Sequence, residues 1–303
     1  MRRIRSRVLW RRVVACQRWG LKRTMDNRMH AFYRTGSPMK IELRCSAALL
    51  LVWAAEAYAQ EARPEWEGAI GPNISYGPAY AGAQDHRTKI VPGFFLRYGR
   101  FTVTNSSGFV TRRSDDVPRG LGVDLSPSER LRINLALRFD AGRSTSDSPA
   151  LAGLNNVRST VRVRLAGSWH LSDGWRVGSG LSVDAVGRGG GDFADASIVR
   201  EQRISSTTQW SFGGSVAVAS SRYMRNYFGI SAEQATRTVY PAYNPSAGLR
   251  DATVFAGVRS ELGPSWVALG GVGASRLLGP AASSPLTKRP NGWGINAGLA
   301  WRF

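Results

Sequence analysis

The last eleven residues alternate without a break. Trp293, Ile295, Ala297, Leu299, Trp301 and Phe303 fall on one face of an extended segment, and Gly294, Asn296, Gly298, Ala300 and Arg302 fall on the other. A strand that is apolar on one side and ends on an aromatic is what a bacterial outer-membrane β-barrel presents to its insertion machinery, with Trp301 and Phe303 as the signal. Such a strand constrains its neighbours. In hydrocarbon every backbone N–H and C=O must be paired, so strands of this kind must continue until the sheet closes on itself. The competing structure is an edge strand of a soluble sandwich.

The amino-terminal region divides in two. Met39-Lys40-Ile41-Glu42-Leu43-Arg44 has the form of a basic n-region, and 47–55 that of an apolar h-region too short to span a bilayer. Ala57-Tyr58-Ala59 matches a signal-peptidase site before Gln60. The expected organisation is therefore an extension over 1–38, disordered or arising from an over-called start codon, a signal peptide over 39–59 and an outer-membrane β-barrel over 60–303. Residues 1–38 hold eleven Lys/Arg against one acidic residue, Asp26. A presequence or a nucleic-acid-binding tail would also fit that charge, but neither explains an export signal after it.

Export changes what the charge means. The whole chain carries +20, and removal of 1–59 takes 13 basic and 3 acidic residues, leaving 28 and 18, a net of +10. Half of the apparent affinity for nucleic acid leaves with the leader, and no nucleic-acid partner is expected. Cys16 and Cys45 leave too, so the exported chain has no disulfide or thiolate metal site.

Alternating segments fall at 65–76, 88–98, 100–109, 119–126, 129–141, 156–170, 174–186, 196–205, 207–219, 250–262, 265–277 and 292–303. Twelve is even, as single-chain bacterial barrels require. The eighth has the poorest alternation. Connections alternate in length as well: those after even-numbered strands are short and carry turn residues, and those after odd-numbered strands are longer, up to 220–249. This pattern predicts a single antiparallel transmembrane barrel with short periplasmic turns, long extracellular loops and both termini in the periplasm. Aromatics fall where interfacial belts need them: Trp66, Tyr98, Phe101, Trp169, Trp175, Trp210, Trp266, Trp301 and Phe303 near the turns, and Tyr76, Tyr80, Phe139 and Trp293 near the loops.

With the lipid face fixed, parity assigns the lumen. Arg132, Arg138, Arg158, Arg162, Arg164 and Arg176 point inward, while Leu131 to Phe139 at odd positions and Val157, Val161, Val163 and Leu165 point outward. An arginine on the lipid face near the midplane would cost about 2 to 4 kcal/mol. This basic wall suits an anion-preferring passage or an acidic ligand. Alternatively the arginines pair with Asp140, Asp184, Glu261 and loop carboxylates in a filled interior, which the narrow lumen of so small a barrel favours. Arginines at the outer rim could also meet lipopolysaccharide phosphates. On the longest connection Tyr223, Tyr227, Phe228, Tyr240 and Tyr243 form either a contact surface or a plug of the barrel mouth, the plug being slightly favoured.

Catalysis has little support. The exported chain has two histidines, His86 and His170; a triad of Asp85, His86 and Ser106 or Ser107 is conceivable, but no spacing selects it. Carboxylates are scattered singly, which gives no metal site, and Gly187 to Gly191 lacks the strand-to-helix context of a phosphate loop.

Several segments resemble the MipA/OmpV family of outer-membrane proteins. They are Tyr76-Gly77-Pro78-Ala79-Tyr80-Ala81-Gly82-Ala83, the stretch from Pro92 to Tyr98-Gly99-Arg100, Ser221-Arg222-Tyr223-Met224-Arg225-Asn226-Tyr227-Phe228-Gly229-Ile230-Ser231, Tyr240-Pro241-Ala242-Tyr243 with Gly248-Leu249-Arg250-Asp251, and Arg276-Leu277-Leu278-Gly279 with Ser284-Pro285-Leu286. The block from Tyr223 to Ser231 is the most specific, and the glycine loop and eighth strand depart most. The resemblance implies no catalytic residues and no cofactor. It also implies a scaffold or anchor joining a lytic transglycosylase to a penicillin-binding protein, or else a porin-like or adhesin barrel. Expected surroundings are outer-membrane lipid and lipopolysaccharide.

Overall fold

The computed structural model describes residues 66–105 and 119–303. The extension, the signal peptide and the loop serines Ser106 and Ser107 lie outside the described residues. Twelve antiparallel strands close into a barrel: β1 Trp66–Pro78, β2 His86–Tyr98, β3 Phe101–Thr104, β4 Gly120–Asp124, β5 Leu131–Asp140, β6 Thr160–His170, β7 Trp175–Asp184, β8 Phe193–Arg203, β9 Thr208–Ala219, β10 Gly248–Glu261, β11 Trp266–Leu277 and β12 Asn291–Arg302. Each strand pairs with its sequence neighbours, and β1 pairs with β12. The predicted strand number and antiparallel closure hold. No described helix is long and apolar enough to cross a membrane.

The period of two decides which face each residue takes. On β5, Leu131, Leu135, Leu137 and Phe139 are exposed on the outside, whereas Ala136 is buried within. The aromatic belt follows: Trp66, Tyr98, Phe101, Trp169, Trp266, Trp301 and Phe303 are exposed around the short-turn end, and Tyr76, Phe139 and Trp293 around the long-loop end. Tyr80 departs from the expected belt. It is buried, and its hydroxyl donates to Leu286 O at 3.0 Å, because the first loop folds inward over the mouth.

Closure rests on the two terminal strands. Gly68 and Phe303 exchange both backbone hydrogen bonds, at 3.1 and 3.0 Å. Further along the seam the ladder runs Ile70 to Trp301 and resumes at Asn73 to Gly298 in the same register. Between them Pro72 has no N–H to give. At Gly71 a Cβ would fall 1.8 Å from Leu299 O, so only glycine permits this approach.

Most strand starts fall within two residues of their sequence-derived positions, and β6 and β8 depart further. β6 starts at Thr160 rather than 156, because Val157 forms a single bridge to Arg143 in the preceding loop and is buried there instead of facing lipid. β8 starts at Phe193, three residues before the expected 196. Phe193, Asp195, Ser197, Val199 and Glu201 take the inner face, so apolar Phe193 and Val199 inside and Arg200 outside are what break its alternation.

The loops carry the only helices among the described residues: α1 Ser221–Phe228, α2 Ala232–Ala235 and α3 Gly279–Ala282, with three short 3-10 turns. Ser220 caps α1 by accepting from the Tyr223 N–H. Met224 and Phe228, four apart and so on one face, are both buried.

Candidate functional site: the lumen and its loop cap

Strands β5 to β8 hold the inner basic wall against carboxylates. Arg162, 1% exposed, donates from Nε to Asp140 Oδ2 at 2.7 Å and from Nη2 to Gly190 O at 2.8 Å. A further donation, from Nη1, goes to Gly191 O. Arg164 forks onto Asp195 at 2.7 and 2.9 Å and also donates to Ser182 Oγ. Arg176 meets Glu201 at 3.0 Å, and Arg132 lies between Glu129 and Asp124 at 3.2 and 3.5 Å. Forked guanidinium–carboxylate pairs in a partly dehydrated lumen fix geometry as well as charge. Arg138 projects inward on β5 and is intermediate in exposure.

Arg158 does not point into the lumen, contrary to the expectation from parity. It precedes the first residue of β6, is exposed, and lines a groove on the loop surface instead of the lumen. The V-R-x-x-V-R-V-R sequence continues the barrel's periodicity two residues past the wall, and period alone does not mark where a wall stops.

Below the cap a chamber of about 970 Å³ remains. Arg119, Arg164, Arg176 and Lys89 face it together with Asp195 and Glu201, while much of the opposite wall is small: Gly257, Gly271, Gly273 and Ser215. Small inward residues on β9 to β12 are what leave this space.

The five aromatic loop positions converge over the mouth. Tyr227 donates to Asp140 Oδ2 at 3.1 Å, so it shares a carboxylate with Arg162. Tyr223 stacks on Tyr227 with centroids 4.4 Å apart, and Arg162 and Arg250 lie against its ring at 5.6 and 5.3 Å. Phe228 is 2% exposed. Tyr240 donates to Ala150 O at 3.0 Å and Tyr243 to Pro280 O at 2.8 Å. Around them two apolar clusters draw residues from several loops. One joins Tyr80, Leu151, Ile230, Tyr240 and Leu286, and the other joins Met224, Phe228, Leu277 and Ala281. Arg87 fastens the third loop to β2 through Asp147 at 2.6 Å.

Burial leaves its mark on the cap. The Tyr80 hydroxyl is pushed up to about 12, first by burial and then by Tyr240 and Asp85. Tyr223 and Tyr227 are raised for the same leading reason. Desolvation lowers Arg143, whose Nη1 donates to Tyr227 O at 2.6 Å. Met224, Leu151, Leu286 and Arg143 were not singled out from the sequence. Spacing of Met224 and Phe228 behind the Ser220 cap was the available signal for α1; nothing local marks the other three.

His86 faces the belt, stacked on Tyr76 at 5.3 Å and beside Trp293 at 5.3 Å. His170 ends β6 at the short-turn rim. Among the described residues no three of His, Cys, Asp and Glu gather as a metal site.

A closed antiparallel barrel of twelve strands, apolar and aromatic-edged outside and charged within, defines an outer-membrane β-barrel protein. The model of the family described as "MltA-interacting protein MipA" matches residues 70–303, which is nearly the whole barrel, and the chain belongs to that family. Similar solved structures include the COG4313 outer-membrane channel from Pseudomonas putida F1, at 10% identity and TM-score 0.38 over 82% of this chain and 98% of that one. Others are the anion-selective porin from Comamonas acidovorans, at 10% identity and TM-score 0.36 over 80% and 100%, and OmpT of Vibrio cholerae, at 8% and 0.36 over 79% and 97%. Likeness at this level says nothing about what this barrel does. No curated protein sequence matches the chain.

Proposed function

We propose that this protein is a non-catalytic outer-membrane anchor, closed at its long-loop end and using its short-turn end, with both termini, to hold peptidoglycan-remodelling enzymes in the periplasm. The carrying observation is the cap: loops after β1, β5, β9 and β11 share buried cores, and the carboxylate of Asp140 ties α1 to the wall. A transport barrel needs loops that leave a path; these are packed on one another. The family's description names an MltA-interacting protein, and the resemblance makes that partner class a lytic transglycosylase and adds a penicillin-binding protein. Photo-crosslinking residues placed at the exposed turn positions Asp173 and Pro264 should give adducts with such an enzyme, and one at Asn244 on the loop surface should not. Adducts from neither turn position, with normal barrel assembly, would overturn the anchor.

A second function has its own support. In the chamber Arg164 and Arg176 are matched by Asp195 and Glu201, but Lys89 and Arg119 on the same wall leave a positive excess that suits a small anion-preferring passage. Planar-bilayer recording separates the two: the anchor is silent, and a steady anion-selective current from the intact chain favours passage.

A further inference from the structure

On the outer surface of the cap three loops meet around a groove of about 750 Å³ that is separate from the lumen chamber. Arg143, Arg158, Arg188 and Arg225 line it, and no carboxylate does. The contrast with the lumen is informative. Inside, Arg132, Arg162, Arg164 and Arg176 each have a carboxylate partner, and Arg119 and Arg138 have no ion pair among the described residues. In the groove Arg158 and Arg225 are exposed and have no ion-pair partner among the described residues, while Arg188 reaches only Ser159 O at 3.5 Å. Like charges lining one groove with no carboxylate among them repel, and an anion bound there relieves that repulsion.

The floor is fixed. Antiparallel bridges Arg143 to Val157 and Ile230 to Tyr243 pin it from beneath, and Ile230 belongs to the buried cap core. A groove that does not have to be ordered on binding keeps more of its interaction energy.

The remaining lining is rich in neutral amides. Asn155 and Asn156 have their carbonyl oxygens engaged by Arg237 at 3.4 Å and by the Thr145 N–H at 2.8 Å, which leaves their amide N–H groups as donors. Asn226 and Asn244 add both donors and acceptors. Guanidiniums suit carboxylates or phosphates, and amides suit hydroxyls. A peptide would want an apolar anchor pocket instead, and the apolar lining is sparse. We infer that this groove binds an anionic oligosaccharide, its acidic groups on Arg158, Arg188 and Arg225 and its hydroxyls on the asparagines.

Two sources share that chemistry, the phosphorylated core of a neighbouring lipopolysaccharide and a soluble acidic polysaccharide. The full protein, purified in detergent and stripped of lipopolysaccharide, is titrated calorimetrically with tetragalacturonate, deacylated phosphorylated core oligosaccharide, maltotetraose and hexaglutamate. At least one acidic saccharide should bind, and maltotetraose should not. Binding of tetragalacturonate identifies a soluble polymer, and binding of the core oligosaccharide alone identifies the lipopolysaccharide. The R158Q/R225Q variant should weaken binding about tenfold or more, whereas Arg200→Gln, which lies over the Trp175 ring at the other end, should leave it unchanged. Either single variant replaces the double one if its heat-modifiable mobility on gels shows that it has not folded. No binding by either acidic saccharide, equal binding of maltotetraose, hexaglutamate binding as tight as the saccharides, or an unchanged constant in the variant would each overturn the inference.

Discussion

Arg162 carries a full charge at 1% exposure, which is tolerable only because Asp140 and two glycine carbonyls take its donors. Removing one partner of such a pair strands the other. Arg162→Met is expected to cost about 3 to 5 kcal/mol, read as a lower midpoint of heat-modifiable gel mobility, whereas exposed Arg158→Gln should change it by less than about 0.5 kcal/mol. Tyr80 gives a pH signature. Its folded value lies above the ordinary 10, at about 12, because burial disfavours the phenolate. The neutral hydroxyl therefore contributes fully below pH 10, and that contribution is lost as pH rises from 10 to 12. Limited proteolysis should release loop fragments in that window, and Tyr80→Phe should flatten the profile. Legibility at this scale was uneven. Parity placed Arg162 inward and offered Asp140 as a partner, but Asp184 accepts from Thr160 and the Gly190 N–H instead. Asp195, partner of Arg164, was missed because it precedes the expected start at 196, and Glu201, partner of Arg176, because apolar Val199 faces in while Arg200 faces out, against the polar-in pattern.

Among the strands, β3 and β4 stand apart. Four residue pairs join β3 to each neighbour, against eleven between β10 and β11. Local opening should follow ladder length, so amides of Phe101–Thr104 and Gly120–Asp124 are expected to exchange with deuterium before those of β10 and β11. Equal protection would mean that the wall opens only as a unit. β12 was the most legible element: its alternation persists to the last residue, and Phe303 closes the seam with Gly68. Deleting Phe303 removes both of those hydrogen bonds and the terminal aromatic, and should reduce the amount of folded barrel recovered from membranes. Strands were readable because hydrocarbon on one side and water on the other act on every second residue. Helix α1 was not read as a helix, although it had a cap and a four-residue apolar spacing, because eight residues hold a helix only when tertiary packing supports it.

At the largest scale the described residues form a wall plus a cap, and the two obey different rules. Leu151 and Leu286, each at 1% or less, come from different loops and meet in one cluster. Truncating both to alanine should loosen the cap at about 2 to 5 kcal/mol per site while the barrel persists, and bilayer recordings should then show current through the chamber where the parent chain is silent. Unchanged silence would mean that the closure lies in the lumen itself. What the sequence alone determined was the wall: strand number, antiparallel closure, the lipid face and the alternation of short and long connections, since each follows from a period of two imposed locally by the solvent on either side. Only the tertiary structure decided how the loops close, that Val157 and Tyr80 turn inward, and that Arg158 belongs to an outer groove. Those outcomes depend on contacts between residues up to about two hundred positions apart, such as Tyr80 with Leu286, and no local pattern encodes which distant loop will offer the carbonyl.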